Sequence, residues 1–248
     1  LIPTNTVHTA EKLLLSSGFE KEVVPNVLNE WKWRYHHKVY FHPQKNIQIE
    51  IHWRLQPRPS SEPPFKKLWE RKRLSTITSY PVYFLGKEDL FLYLVSHGAR
   101  HGWFRLRWLL DIDQMLRKGI NVEKTNLLMK KYQSLHIGGQ ALFLSTQLLK
   151  TPVNEKIKIG NSSKEMAQMA LFFIKDMLPL HVIMSTNFYR RYHLSLNAST
   201  LQKIYPIILL LYPNSADVET LKLPKSLQLL YFPLRPFLWA WRKTRKIV

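Results

Sequence analysis

The chain has 248 residues, with 37 Lys and Arg against 17 Asp and Glu, a formal net charge of +20. Its 45% hydrophobic content excludes wholesale disorder, and the absence of cysteine excludes disulfides and thiolate metal sites. The length suits one large domain or two small ones, and no apolar run reaches the ~18 residues of a transmembrane helix. The cysteine-free composition fits a cytoplasmic setting, and the start lacks the pattern of a signal peptide. The charge implies attraction to polyanions: nucleotides, nucleic acid or an acidic membrane surface.

In chain order, Leu1-Ile2-Pro3 reads as the end of a strand, which hints at an upstream segment. Residues 5–18 predict a helix capped by Asn5 or Thr6. Ala10, Leu13 and Leu14 share its apolar face, and Gly18 ends it. A second short helix is expected around Val24–Trp33. Residues 36–42 and 46–54 then alternate as two strands about the turn Pro43-Gln44-Lys45, an antiparallel hairpin. A two-stranded hairpin is marginal alone, so another strand is expected beside it. The proline-rich stretch 56–64 reads as a linker. Helical patterns follow at 65–76, 87–101, 103–118, 122–134, 139–150, 162–178 and 198–211. The tail, 222–248, is interrupted by Pro224, Pro233 and Pro236.

Alternation places Ile47, Ile49 and Ile51 on one face of the second strand, suited to a core. Gln48, Glu50 and His52 share the other face. That row reads either as a solvated polar face or as a cation site, since hard divalent ions prefer carboxylate oxygens. Asp111-Ile112-Asp113 is also a D-x-D, but it sits in a helical pattern, where residues two apart point in opposed directions. It is therefore not a metal-binding pair, and Asp111 reads as an ion-pair partner for Arg107. His97 and His101 lie four apart on one helical face, a spacing that suits metal ligands. No Glu lies between them, and Asp111 serves as a third ligand only if the helix after Gly102 folds back, so packing with ordinary hydrogen bonds is the competing reading. Arg34, His36, His37 and Lys38 cluster at a strand start, where clustered histidines can pick up metal adventitiously. Lys66, Lys67, Arg71, Lys72 and Arg73 form a basic helical run, read as a solvated face or a phosphate contact. Trp103 and Trp108 read as core residues or as stacking platforms for a base. The chain has only eight glycines, and no Gly-rich phosphate loop is present.

Four blocks carry a resemblance: LIPTNTVHTAEKLLLSSGF (1–19), IQIEIHWRL (47–55), EDLFLYLVSHGARHGWFRLRWLLDIDQML (88–116) and LPKSLQLLYFPLRP (223–236). Together they resemble the uncharacterised bacterial nucleotidyltransferase family of the polymerase-β-like superfamily. The H-G-A-R-H-G-W stretch is the most specific part, followed by the E-I-H-W strand. The resemblance implies an α+β fold: a small, incomplete nucleotidyltransferase-like sheet with flanking helices at 1–55, then a mostly helical domain at 65–248. It implies an NTP as substrate, Mg²⁺ as cofactor and an unidentified hydroxyl or phosphate acceptor. In the superfamily a G-x-D-x-D strand and a third carboxylate hold the metal, and Glu50 matches that third carboxylate. His52 would orient it or the nucleotide. His97, Arg100 and His101 would contact the triphosphate or the acceptor, and Asp111 matches the family's helix aspartate. The D-x-D would lie just before a segment like Leu1-Ile2-Pro3. The expectation is thus that the chain is a truncated piece of a longer protein or a decayed copy. Two other classes compete: a non-catalytic basic module that grips RNA or another polyanion, and a protein held at a membrane surface by its basic, aromatic tail.

Overall fold

The computed structural model describes residues 1–21, 27–152, 159–176 and 186–245. Expectations that fall elsewhere lie outside the described residues: the start of the helix at Val24–Trp33, the last two residues of the helix at 162–178, and Lys246 in the tail. The chain forms two compact units, Leu1–Pro59 with Leu201–Val248, and Ser60–Thr200. The break at Pro59–Ser60 falls inside the proline-rich stretch. The structure groups residues 201–248 with the N-terminal hairpin. The physical reason is a set of backbone anchors. Arg34 donates to the carbonyls of Leu209 (2.7 Å) and Tyr212 (2.5 Å), and the Tyr212 and Tyr205 hydroxyls donate to Leu28 and Trp33 carbonyls.

In the first unit, helix α1 (Val7–Ser16) follows a 3₁₀ turn. Thr6 is its N-cap residue, but its hydroxyl donates to the Pro3 carbonyl rather than capping the helix. Gly18, at φ +85°, ends the helix as expected. The Phe19 amide bonds Leu14 O and the Gly18 amide bonds Leu15 O, which satisfies the last carbonyls. The buried face of α1 carries Val7 and Glu11, while Leu13 is 66% exposed, contrary to the predicted stripe. Glu11 explains the shift, because Lys21 and Lys38 both pair with it. After the single turn α2 (Trp31–Arg34), strands β1 (His37–His42) and β2 (Ile47–His52) pair antiparallel, with His37 opposite His52 and Val39 opposite Glu50. Backbone bonds flank the hairpin on both sides: Ile2 donates to His52 O, and Glu20 exchanges two bonds with Phe41.

The second unit is helical. It contains α3 (Phe65–Glu70), the two-residue strands β3 (Arg73–Leu74) and β4 (Tyr83–Phe84), α4 (Lys87–Arg100), α5 (Arg107–Arg117), α6 (Val122–Lys131), α7 (Leu135–Leu149), α8 (Asn161–Asp176) and α9 (Asn187–Ser195). The predicted helix 65–76 stops at Glu70 because Arg71 turns to form a two-pronged ion pair with Asp89 (2.7 Å for each bond), and residues 73–74 pair with β4. Phe91, Val95, Ala99, Leu109, Ile112, Leu144, Ala170 and Phe173 form a core between α4, α5, α7 and α8.

The first unit resumes with α10 (Thr200–Leu211), α11 (Ser215–Thr220) and α12 (Tyr231–Arg245). The capping box of Asn214 and Asp217 starts α11. Helix α12 runs through the expected proline breaks. Pro233 sits in its first turn, where no amide donor is needed, and Pro236 lies inside. Asp217 is fully buried and pairs with Arg235 and Arg242, which ties α12 to α11. Among the described residues no helix is long and apolar enough to cross a membrane.

Candidate active site

The hairpin presents its polar row on one face. Register pairing sets His37, Val39 and Phe41 of β1 beside His52, Glu50 and Gln48 of β2. The isoleucine face opposite is only half covered, since Ile47 remains 46% exposed. Tyr40 and His42 supply the buried part of that face. Glu50 lies between two donors on its own strand. Its Oε2 is 3.1 Å from His52 Nε2, and its Oε1 accepts from Gln48 Nε2 at 3.5 Å. The Glu50 side chain is 46% exposed, so its carboxylate remains open to a ligand.

Three other carboxylates of this unit are occupied. Glu11 pairs with two lysines, Glu30 with Arg34 at 2.9 Å, and Asp217 with two arginines. Mg²⁺ usually keeps several waters and binds through one or two carboxylates plus substrate phosphates. Glu50 fits one such contact. Among the described residues no second carboxylate joins it in a metal-binding cluster, so a multi-carboxylate clamp is not assembled from them.

The other predicted residues belong to the second unit. His97 and Arg100 end α4, and Arg100 Nη2 lies 3.2 Å from His97 Nδ1. His97 and His101 rings are 4.7 Å apart, and each is 5.3 Å from Trp108. Trp103 and Trp108 are buried, so the core reading of both holds and neither is an exposed stacking platform. Burial, with Arg100 and Arg105 nearby, pushes the His101 pKa down to about 4. His193 is likewise pushed down to about 4, first by burial and then by His101 and Arg100. Burial also lowers Arg100 itself, against Tyr93 and Tyr189, which raise it. The two rings are therefore neutral near pH 7. His97 and His101 join no metal-binding cluster among the described residues.

The H-G-A-R-H-G-W block explains itself as a helix terminus. The Trp103 amide bonds Gly98 O at 2.9 Å, the Gly102 amide bonds Ala99 O at 2.9 Å, and Gly102 sits at φ +61°. Trp103 then folds back over Gly98, where a Cβ would lie 2.3 Å from the indole ring. Tyr192 donates to Ala99 O at 2.7 Å and receives a bond from Gln140 at 3.0 Å. This turn fixes the direction of His97, Arg100 and His101.

Asp111 is exposed on α5, and among the described residues it makes no ion pair with Arg107. Its neighbour Asp113 is buried, bonded to Arg117 at 2.8 Å and to the Thr151 hydroxyl at 2.7 Å. The two aspartates point apart, as helical geometry requires. The basic run is largely engaged: Lys67 pairs with Glu70, Arg71 with Asp89, and Lys72 lies 4.1 Å from the Trp69 ring centre.

In the sequence, His36 and His37 lie some fifteen residues from His52. The structure brings the three together, with ring nitrogens within 4.8 Å of one another. The signal was present in the hairpin register, which puts position 37 opposite 52.

A family model described as an uncharacterised nucleotidyltransferase matches residues 1–150. The chain belongs to this nucleotidyltransferase family. Neither the curated proteins nor the solved structures contain a match. Membership suggests nucleotidyl transfer as the general chemistry, with an NTP substrate and a divalent metal.

Proposed function

We propose that this chain supports Mg²⁺-dependent transfer of a nucleotidyl group from an NTP to a hydroxyl or phosphate acceptor, with Glu50 as a metal ligand. The observation that carries the reading is the Glu50 carboxylate. It is half exposed and held at 3.1 Å by His52 on a strand of a nucleotidyltransferase-family chain. In the transfer, an acceptor oxygen forms a bond to the α-phosphorus while the bond to pyrophosphate breaks, and the acceptor proton passes to solvent or a base. Bound metal supplies charge neutralisation on the phosphates and activation of the attacking oxygen. Glu50 would hold that ion through the oxygen left accessible to solvent. His52, by donating Nε2–H to Oε2, would fix the carboxylate's rotamer and leave its charge intact. Within the second unit, Arg100, His97 and His101 are proposed to contact a phosphate group. The Arg fork is the group best shaped for phosphate, and the neutral His101 would act as a hydrogen-bonding partner rather than a cation.

The test is NTP turnover by the native gene product. Glu50→Ala should abolish Mg²⁺-dependent pyrophosphate release while the circular dichroism spectrum stays unchanged. Full activity in that variant would remove Glu50 from the mechanism.

A further inference from the structure

We infer that His36, His37 and His52 form a metal site beside Glu50, specific for a divalent transition-metal ion of the Zn²⁺ type. The inference does not depend on nucleotidyl transfer. It stands on the geometry at the open end of the hairpin. His36 occupies the bend just before β1, so its ring turns to the same side as that of His37 although the two are consecutive. The ring centres lie 4.4 Å apart. His52 is the cross-strand partner of His37, and these rings stack at 4.8 Å. His36 and His52 are 5.4 Å apart, which closes the triangle.

The nitrogen spacing suits coordination. Two imidazole nitrogens on a tetrahedral Zn²⁺, each at about 2.0–2.1 Å, stand roughly 3.4 Å from one another. His37 Nδ1 and His36 Nε2 are 3.2 Å apart. All three ligand atoms fall within 4.8 Å of one another, so small side-chain rotations would bring them to coordination distance. A neutral imidazole carries one donor and one acceptor nitrogen. A hydrogen bond can use only one lone pair of a facing couple, whereas one cation uses a lone pair from each of three rings.

The scaffold is fixed before any ion arrives. The His36 carbonyl accepts from the amides of Trp53 (3.0 Å) and Arg54 (3.3 Å), and the His52 carbonyl accepts from Ile2 (2.9 Å). His36 is buried, while the His52 side chain keeps 22% of its surface, so an ion has a rigid base and a path in. Glu50 completes the arrangement. A metal-bound histidine normally donates its other ring N–H to a carboxylate, which fixes the tautomer and raises ligand basicity. With Nε2–H given to Glu50 at 3.1 Å, His52 keeps Nδ1 for the ion. Imidazole ligands select Zn²⁺, Cu²⁺ or Ni²⁺ and reject Mg²⁺, which takes oxygens. Three protein ligands leave a fourth position open to solvent.

The experiment is a titration of the metal-stripped full chain with Co²⁺ and Zn²⁺ in the absence of nucleotide. Co²⁺ should give the visible absorption of a four-coordinate ion at one equivalent. Zn²⁺ should displace it, and millimolar Mg²⁺ should not. His37→Gln, at a partly exposed position, should weaken Zn²⁺ binding at least about 10-fold with the fold intact by circular dichroism. Glu50→Gln should weaken it about 10- to 100-fold. His8→Gln, on the exposed face of α1, should leave binding unchanged. The inference is overturned if no stoichiometric site is found, or if His37→Gln and His52→Gln both bind Zn²⁺ like the parent. Because no NTP is present, failure here leaves the nucleotidyl-transfer reading where it stands, and failure of that reading leaves this site untouched.

Discussion

Two partly buried imidazoles should make the helical unit acid-labile. His101 and His193 both have pKa values near 4 in the folded chain, against 6.5 for an ordinary histidine, because burial penalises the charged ring. In the unfolded chain both rings take a proton near pH 6.5. Between pH 6.5 and 4 the unfolded state therefore binds more protons, and stability falls as the pH falls. Above pH 6.5 the two groups contribute no slope. At ~1.36 kcal/mol per pH unit, a buried ring loses about 2.7 kcal/mol between pH 6.5 and 4.5. His193 is well buried and carries most of that. His101 is only half out of solvent, so about half is retained. The sum is about 3–4 kcal/mol, a large part of the ~5–15 kcal/mol that holds a typical domain. Urea unfolding at pH 7.0 and pH 4.5 reads the loss, followed by the fluorescence of the buried Trp103 and Trp108. A His101→Gln/His193→Gln double variant should lose less than about 1 kcal/mol over the same interval, which separates the rings from the carboxylates. An equal loss in parent and variant would refute the reasoning.

Three further outcomes follow from the packing. Asp89 is fully buried under the two-pronged Arg71 pair, so Asp89→Asn should cost about 3–5 kcal/mol in urea unfolding by stranding a guanidinium. Gly98→Ala would push a methyl to 2.3 Å from the Trp103 ring, and a loss of about 1–3 kcal/mol with a red-shifted tryptophan emission is expected. Asp113→Asn, which breaks bonds to Arg117 and Thr151, should destabilise by more than about 1 kcal/mol, while Asp111→Asn on the exposed face should stay within about 0.5 kcal/mol.

Much of the fold was legible because its signals are local. Gly18 and Gly102 sit where a left-handed residue must close a helix, and both fall where the sequence breaks its 3.6-residue period. The hairpin was legible from strict alternation, and the helical D-x-D from its surrounding leucines. What escaped depends on distant partners. The helix at 65–76 stops early because Asp89, eighteen residues beyond Arg71, captures the guanidinium. Leu13 turns outward because Lys21 and Lys38 draw Glu11 inward. The C-terminal helices join the first unit through carbonyls held by Arg34, a residue some 175 positions earlier, and no spacing rule reveals such a bond. At the candidate site, Glu50 and His52 were legible from alternation. The third and fourth members of their neighbourhood, His36 and His37, required the cross-strand register as well.

On the function proposed here, the hairpin carboxylate binds a metal–nucleotide complex. The most direct measurement is the affinity of the native gene product for Mg·NTP, read by equilibrium titration with and without Mg²⁺, beside Glu50→Gln. The expected result is saturable, Mg²⁺-dependent binding that falls at least about 10-fold in the variant. Binding of nucleic acid without NTP or metal, falling steeply with salt and indifferent to Glu50, would contradict it and identify a basic binding module instead.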